Sequence, residues 1–170
     1  MRLLAVIGVL AVILAISAGV FFFGGYYSVS AQQEDPPIVK WALQQVRTAS
    51  IDHHAIFSPP KPLDDPALVK AGARAFAERG CANCHGGPGV GWAKFSEGLQ
   101  PGPPDLKDVA KELSGPEIFW VVKNGINMTG MPSFGAIKAS DEEIWSIAAF
   151  VKQIGTVKPE DYKAWSAPQQ

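Results

Sequence analysis

Apolar residues along this chain follow two patterns, and each predicts a different kind of helix. From Leu3 to Phe23, 21 consecutive residues carry no charge and only Ser17 is polar. An unbroken run of that length predicts a helix able to span a bilayer. Further on, the apolar positions recur at helical spacing instead. In IVKWALQQVRTASI, residues 38–51, Ile38, Trp41, Ala42, Val46 and Ala49 form one stripe, with Lys40, Gln44 and Arg47 elsewhere on the cylinder. In ALVKAGARAFAERG, residues 67–80, Leu68, Val69, Ala73, Phe76 and Ala77 repeat in the same way until Gly80 ends the helix.

Flanking charges orient the first segment. Arg2 and the amino terminus precede it, and Glu34 and Asp35 are the first charges after it, so the positive end stays in the cytoplasm and the rest of the chain is exported. Tyr26 and Tyr27 then fall at the outer interface, where a ring with an apolar body and a polar tip is at home. A cleaved signal peptide competes with this reading, because Val29, Ser30 and Ala31 are small residues that a signal peptidase accepts. Signal cores run roughly 7–15 residues. This one is longer and closes on Phe21, Phe22 and Phe23, which favours a retained anchor.

The chain divides into an anchor (1–25), a connector with the amphipathic helix (26–65), a compact domain (66–157) and a C-terminal tail (158–170). Pro36-Pro37 and the KPLDDP stretch, residues 61–66, punctuate the connector. Its apolar stripe either docks on its own domain or lies on lipid or a partner subunit. His53 and His54 follow that helix. Adjacent side chains diverge and no third ligand is spaced nearby, so they read as surface histidines rather than a metal site.

Composition narrows the classes without choosing among them. The 170 residues are 47% apolar and 18% charged, with a net charge of −1, a globular balance that offers no basic field for nucleic acid.

The chemistry sits in RGCANCHGG, residues 79–87, which holds both cysteines of the chain, Cys81 and Cys84, with His85 directly behind them. On a helical turn these three project toward one face. A thioredoxin-like dithiol would need a strand before the pair, and here a helix precedes it. A structural zinc site would need a further ligand pair that the sequence lacks. A disulfide would close too short a loop to stabilise much and would leave His85 without a role. Covalent attachment of one haem c uses all three residues: each thiol forms a thioether and the His85 imidazole becomes the proximal iron ligand. Attachment of this type belongs to exported bacterial proteins, in agreement with the topology. For the second axial position the candidates are Met131 and Met128 in NGINMTGMPSFG, residues 124–135. Met131, between Gly130 and Pro132 in a rigid loop, is preferred, with Met128 as the alternative ligand or as core filler.

CANCH, then PPDL, then NGINMTGMPSFG, then EEIWSIAAFVKQI resemble, in that order, a class I c-type monohaem cytochrome over roughly residues 66–157. With the anchor included, the chain is similar to membrane-bound monohaem cytochromes of bacterial respiratory chains. The resemblance implies an all-α fold around one haem, with first and last helices crossing where Gly72 and Phe76 meet Trp145 and Ala149. It implies that a carbonyl of Pro103 or Pro104 accepts the His85 ring proton, that Leu106 covers the haem, and that Trp92 and Trp120 pack near it or donate to a propionate. It also implies an electron carrier rather than an enzyme, in the bacterial inner membrane, with the haem domain in the periplasm. The expected partners are redox proteins: a membrane dehydrogenase, a quinol-oxidising complex or a terminal oxidase. A cytochrome subunit of a larger membrane dehydrogenase or oxidase is the alternative. A haem peroxidase or gas sensor would require Met131 to leave the iron.

Overall fold

The uncharged run forms α1 (Arg2–Phe23), 22 residues with none buried, in a computed structural model that describes residues 2–167. At 1.5 Å per residue it is about 33 Å long, a match for the hydrocarbon core of a bilayer. Among the described residues it is the one helix long and apolar enough to cross a membrane. The chain up to Glu34 forms one unit, and the chain from Asp35 onward forms a second.

The second unit opens with α2 (Pro37–His54), where Pro37 occupies the first turn, the one place in a helix that needs no N–H from it. The helix runs beyond the expected end and takes His53 and His54 into its last turn. His54 Nδ1–H donates to the Ser50 carbonyl at 2.7 Å, and its ring stacks on Trp120 at 5.8 Å. Ile51 is the single buried residue of α2.

Asp65 starts α3 (Pro66–Glu78): its carboxylate accepts from the amides of Ala67 and Leu68, two donors that the first turn leaves without partners. Then come α4 (Cys81–His85), α5 (Leu106–Glu112), α6 (Gly115–Asn124), α7 (Asp141–Gln153) and α8 (Pro159–Trp165). Asp105 caps α5, and Ser114 with Glu117 closes a reciprocal capping box on α6. Ser140 caps α7, whose first turn carries Asp141, Glu142 and Glu143 toward the positive end of the helix dipole. No β-strand occurs among the described residues, only an isolated bridge between Gly87 and Val90.

The core is built on α7, where every residue from Ile144 to Val151 is buried. Phe76, Phe119, Phe150, Ile144 and Ile147 are its largest fully enclosed side chains, each stabilising the fold by roughly 1.5–3 kcal/mol relative to exposure. As expected, α3 crosses α7 at Gly72, but in a different register. A Cβ on Gly72 would overlap the Ser146 carbonyl oxygen and crowd Phe150. Phe76 packs on Phe150 at 5.1 Å, while Trp145 turns away to stack on Phe119 at 4.2 Å. Without a side chain at Gly72 the two backbones approach directly, so the contact falls where α7 presents its main chain.

The segment expected to be a plain tail contains α8, whose Tyr162 is buried and stacks on Phe150 at 5.5 Å. Pro159 in its first turn, with Glu160 and Asp161, favours that helix start.

Candidate functional site

Helix α3 delivers the chain to the cysteine motif through Arg79. Its guanidinium grips Glu143 of α7 with two parallel hydrogen bonds, Nε to Oε1 at 2.6 Å and Nη2 to Oε2 at 2.8 Å. That Arg79 bond, opposed by desolvation, holds the Glu143 carboxyl below the ordinary carboxylate range. Gly80, at φ +75°, then turns the chain into α4, a conformation that glycine adopts without a steric penalty.

One helical turn therefore carries Cys81, Cys84 and His85. Cys81 and Cys84 form no disulfide with each other. Cys81 packs against the core, and burial pushes its thiol up to about 12. The His85 Nδ1–H donates to the Pro104 carbonyl at 3.1 Å. Of the two prolines left open by the sequence, Pro104 thus faces the ring. Burial lowers the His85 pKa, and the Pro104 hydrogen bond opposes that shift. A neutral imidazole with its proton fixed on Nδ1 has a lone pair on Nε2, the form in which histidine binds metals. Leu106, one residue beyond the Asp105 cap, is buried in the same core cluster that Cys81 packs against.

The segment after α4 folds back on it. Gly86 at φ +66° begins a tight turn, closed by mutual Gly87 and Val90 backbone bonds, and the Ala93 amide donates to the Asn83 carbonyl at 2.8 Å. Trp92 ends this turn and is 59% exposed. Trp120 is half-buried beneath His54.

The methionine loop hangs from the end of α6. Gly125, at φ +70°, starts it, and a Cβ there would meet the backbone of Pro132 and Ser133. Ser133 Oγ donates to the Lys123 carbonyl, the Phe134 and Gly135 amides bond Val122 and Lys123, and Ile126 N–H donates to the Met131 carbonyl at 3.1 Å. Thr129 Oγ1 donates to Ile126 and accepts from the Met131 amide. The two methionines are sorted by this scaffold. Met131 packs against the core cluster, whereas Met128, at φ +57°, is 89% exposed.

Two thiols and a neutral imidazole on one turn, an orienting carbonyl, and a thioether in a braced loop on the same apolar core form a donor set that suits one covalently held haem. Among the described residues, no group of three or more His, Cys, Asp and Glu side chains is placed to hold a metal ion. Sequence reasoning missed the Arg79–Glu143 clamp and Tyr162, whose ring lies 3.1 Å from the position of a Cβ on Gly87. Helical periodicity registers a local stripe and carries no signal for an ion pair 64 residues apart.

Residues 67–151 match the family model described as cytochrome c oxidase, cbb3-type, subunit III. No curated protein and no solved structure matches the chain.

Proposed function

The chain belongs to the cytochrome c family of cbb3-type oxidase subunit III, a family of haem-based electron transfer, and on that footing we propose a membrane-anchored, His/Met-ligated electron carrier of a bacterial respiratory chain. When bound, haem c supplies a one-electron ferric–ferrous couple. Cys81 and Cys84 would hold it by thioethers, and His85 Nε2 and the Met131 sulfur would be its iron ligands. The observation that carries this reading is the 3.1 Å bond from His85 Nδ1 to Pro104, which leaves Nε2 as the ligating atom. That bond orients the ring and raises its basicity. Leu106 shields the proximal side, and Gly125, Thr129 and Ser133 hold the Met131 loop so that neither ligand has to move during transfer. The anchor α1 keeps the haem domain on the exported, periplasmic side.

Optical spectra of the ferric and ferrous protein test the ligand set. Wild type and Met128→Ala should show the weak ferric band near the red edge that reports sulfur on iron, and Met131→Ala should lose it. A high-spin ferric wild type, or a ferrous form that binds carbon monoxide readily, would sink the closed-site reading and favour a peroxidase or gas sensor. Haem should stay with the denatured chain, and separate from it when Cys81 and Cys84 are both replaced by alanine.

The family description supports a second reading, a cytochrome subunit within a larger membrane oxidase. It requires co-migration with other subunits after gentle detergent extraction. A protein that always runs alone excludes it.

A further inference from the structure

Helix α2 leaves an apolar face uncovered. Ile38, Trp41 and Val46, which share that face, are all exposed, Trp41 by 59% and Val46 by 67%. The helix meets its own domain only near its end, through buried Ile51 and the His54–Trp120 stack, followed by Phe57 against Phe119 at 4.9 Å. At 3.6 residues per turn, Ile51 lies about 220° round the axis from Ile38, so domain contact and apolar stripe occupy opposite sides. A second surface can therefore lie along the stripe without displacing the domain.

Three features indicate what that surface is. First, α2 is tied to the membrane-spanning helix by residues 24–36, which reach at most about 45 Å when fully extended. Second, the charges within residues 36–51 are Lys40 and Arg47, both across the helix axis from Ile38, and the acids Glu34, Asp35 and Asp52 lie just outside that stretch, so the stripe itself carries no charge into lipid. Third, the three apolar side chains offer on the order of 400 Å², against the roughly 800 Å² per partner of a standard stable protein interface. Lipid makes no such demand for area or shape, and Trp41 is a residue type favoured at the headgroup level.

We propose that α2 is a membrane-surface helix that lies in the lipid interface with Ile38, Trp41 and Val46 inward and Gln44, Lys40 and Arg47 toward water. The inference rests on the reading of α1 as a retained anchor. Its consequence is that the cytochrome domain, joined to α2 through Ile51, His54 and Phe57, is held in one orientation on the membrane rather than swinging on a flexible connector.

The test is nitroxide accessibility in the full-length holoprotein reconstituted in vesicles of pure phosphatidylcholine or of phosphatidylcholine with phosphatidylglycerol. Labels are placed at Trp41→Cys, Val46→Cys and Gln44→Cys, all exposed sites where substitution removes no core contact. Oxygen, which partitions into lipid, and a water-soluble nickel chelate compete as relaxing agents. The ratio of oxygen to nickel accessibility should be several-fold higher at 41 and 46 than at 44 in both vesicle types. Equal ratios at all three sites would overturn the proposal. Labels at 41 and 46 that are immobile and shielded from both agents would overturn it in favour of a protein partner. Wild-type protein taken through labelling is the control: uptake of label there means unreacted Cys81 and Cys84, which is a failure of the haem reading and not of this one.

Discussion

Arg79 and Glu143 make the same charge pairing as Lys94 and Glu97, yet the two pairs differ in worth. The first is bidentate, with side chains 29% and 26% exposed, while Lys94 and Glu97 are 89% and 49% exposed. An exposed pair contributes about 0–1 kcal/mol, and Glu97→Gln should leave the urea midpoint unchanged. Glu143→Gln should lower stability at neutral pH by about 1–2 kcal/mol, since it breaks a charge-assisted double bond at the junction of α3, α4 and α7. The sign of its pH dependence follows from the lowered Glu143 pKa. A carboxyl whose folded pKa is depressed contributes fully above its unfolded pKa, and the contribution disappears as pH falls through the folded one. The difference between wild type and Glu143→Gln should therefore shrink toward zero in acid. Urea unfolding of the holoprotein at neutral and acidic pH reads this directly, and a constant difference would contradict it.

Gly72 carries more structural consequence than any ionic contact in the helix pair it joins. Its missing side chain lets α3 lie on the Ser146 carbonyl, and backbone cannot yield as a flexible side chain can. Gly72→Ala should destabilise the fold by about 3 kcal/mol or more and Gly155→Ala by little, as nothing lies near a Cβ at Gly155. Thermal melts of the two variants distinguish these outcomes. The sequence made much of this legible. Periodicity marks α3, and the order CANCH, PPDL, TGMPSFG carries the resemblance to the cytochrome fold. Contact register was not legible, because Trp145 and Ser146 are neighbours in sequence and differ only in which partner they meet, Phe119 or Gly72. Helix α8 was missed because its seven residues are too few to display a period, and its order comes from Tyr162 packing on Phe150. Within the candidate site, the residue types at 81, 84, 85 and 131 stand out by their chemistry. The choice of Pro104 over Pro103 is a matter of carbonyl direction, which composition does not encode.

All groups proposed to hold haem lie in the unit that starts at Asp35, and the helix long and apolar enough to cross a membrane lies in the other. Tuning of the iron and delivery of the carrier are therefore separable. A thioether ligand and an apolar surround both favour the ferrous state, so the midpoint potential should be moderately positive, and a redox titration giving a distinctly negative value would contradict Met131 ligation. Removing residues 1–34 should leave that potential and the optical spectrum unchanged, because no proposed ligand or pocket residue is lost. Reduction by membrane-bound donors should instead become dependent on bulk concentration. An anchored carrier is confined to the layer where its donors sit, and its effective concentration there exceeds any ordinary solution value. Adding the shortened protein to membranes over a range of concentrations would then recover the anchored rate only at high excess. If the shortened protein matched the full chain at equal amounts, diffusion to the membrane would not limit transfer, and the anchor would serve assembly with a fixed partner rather than concentration.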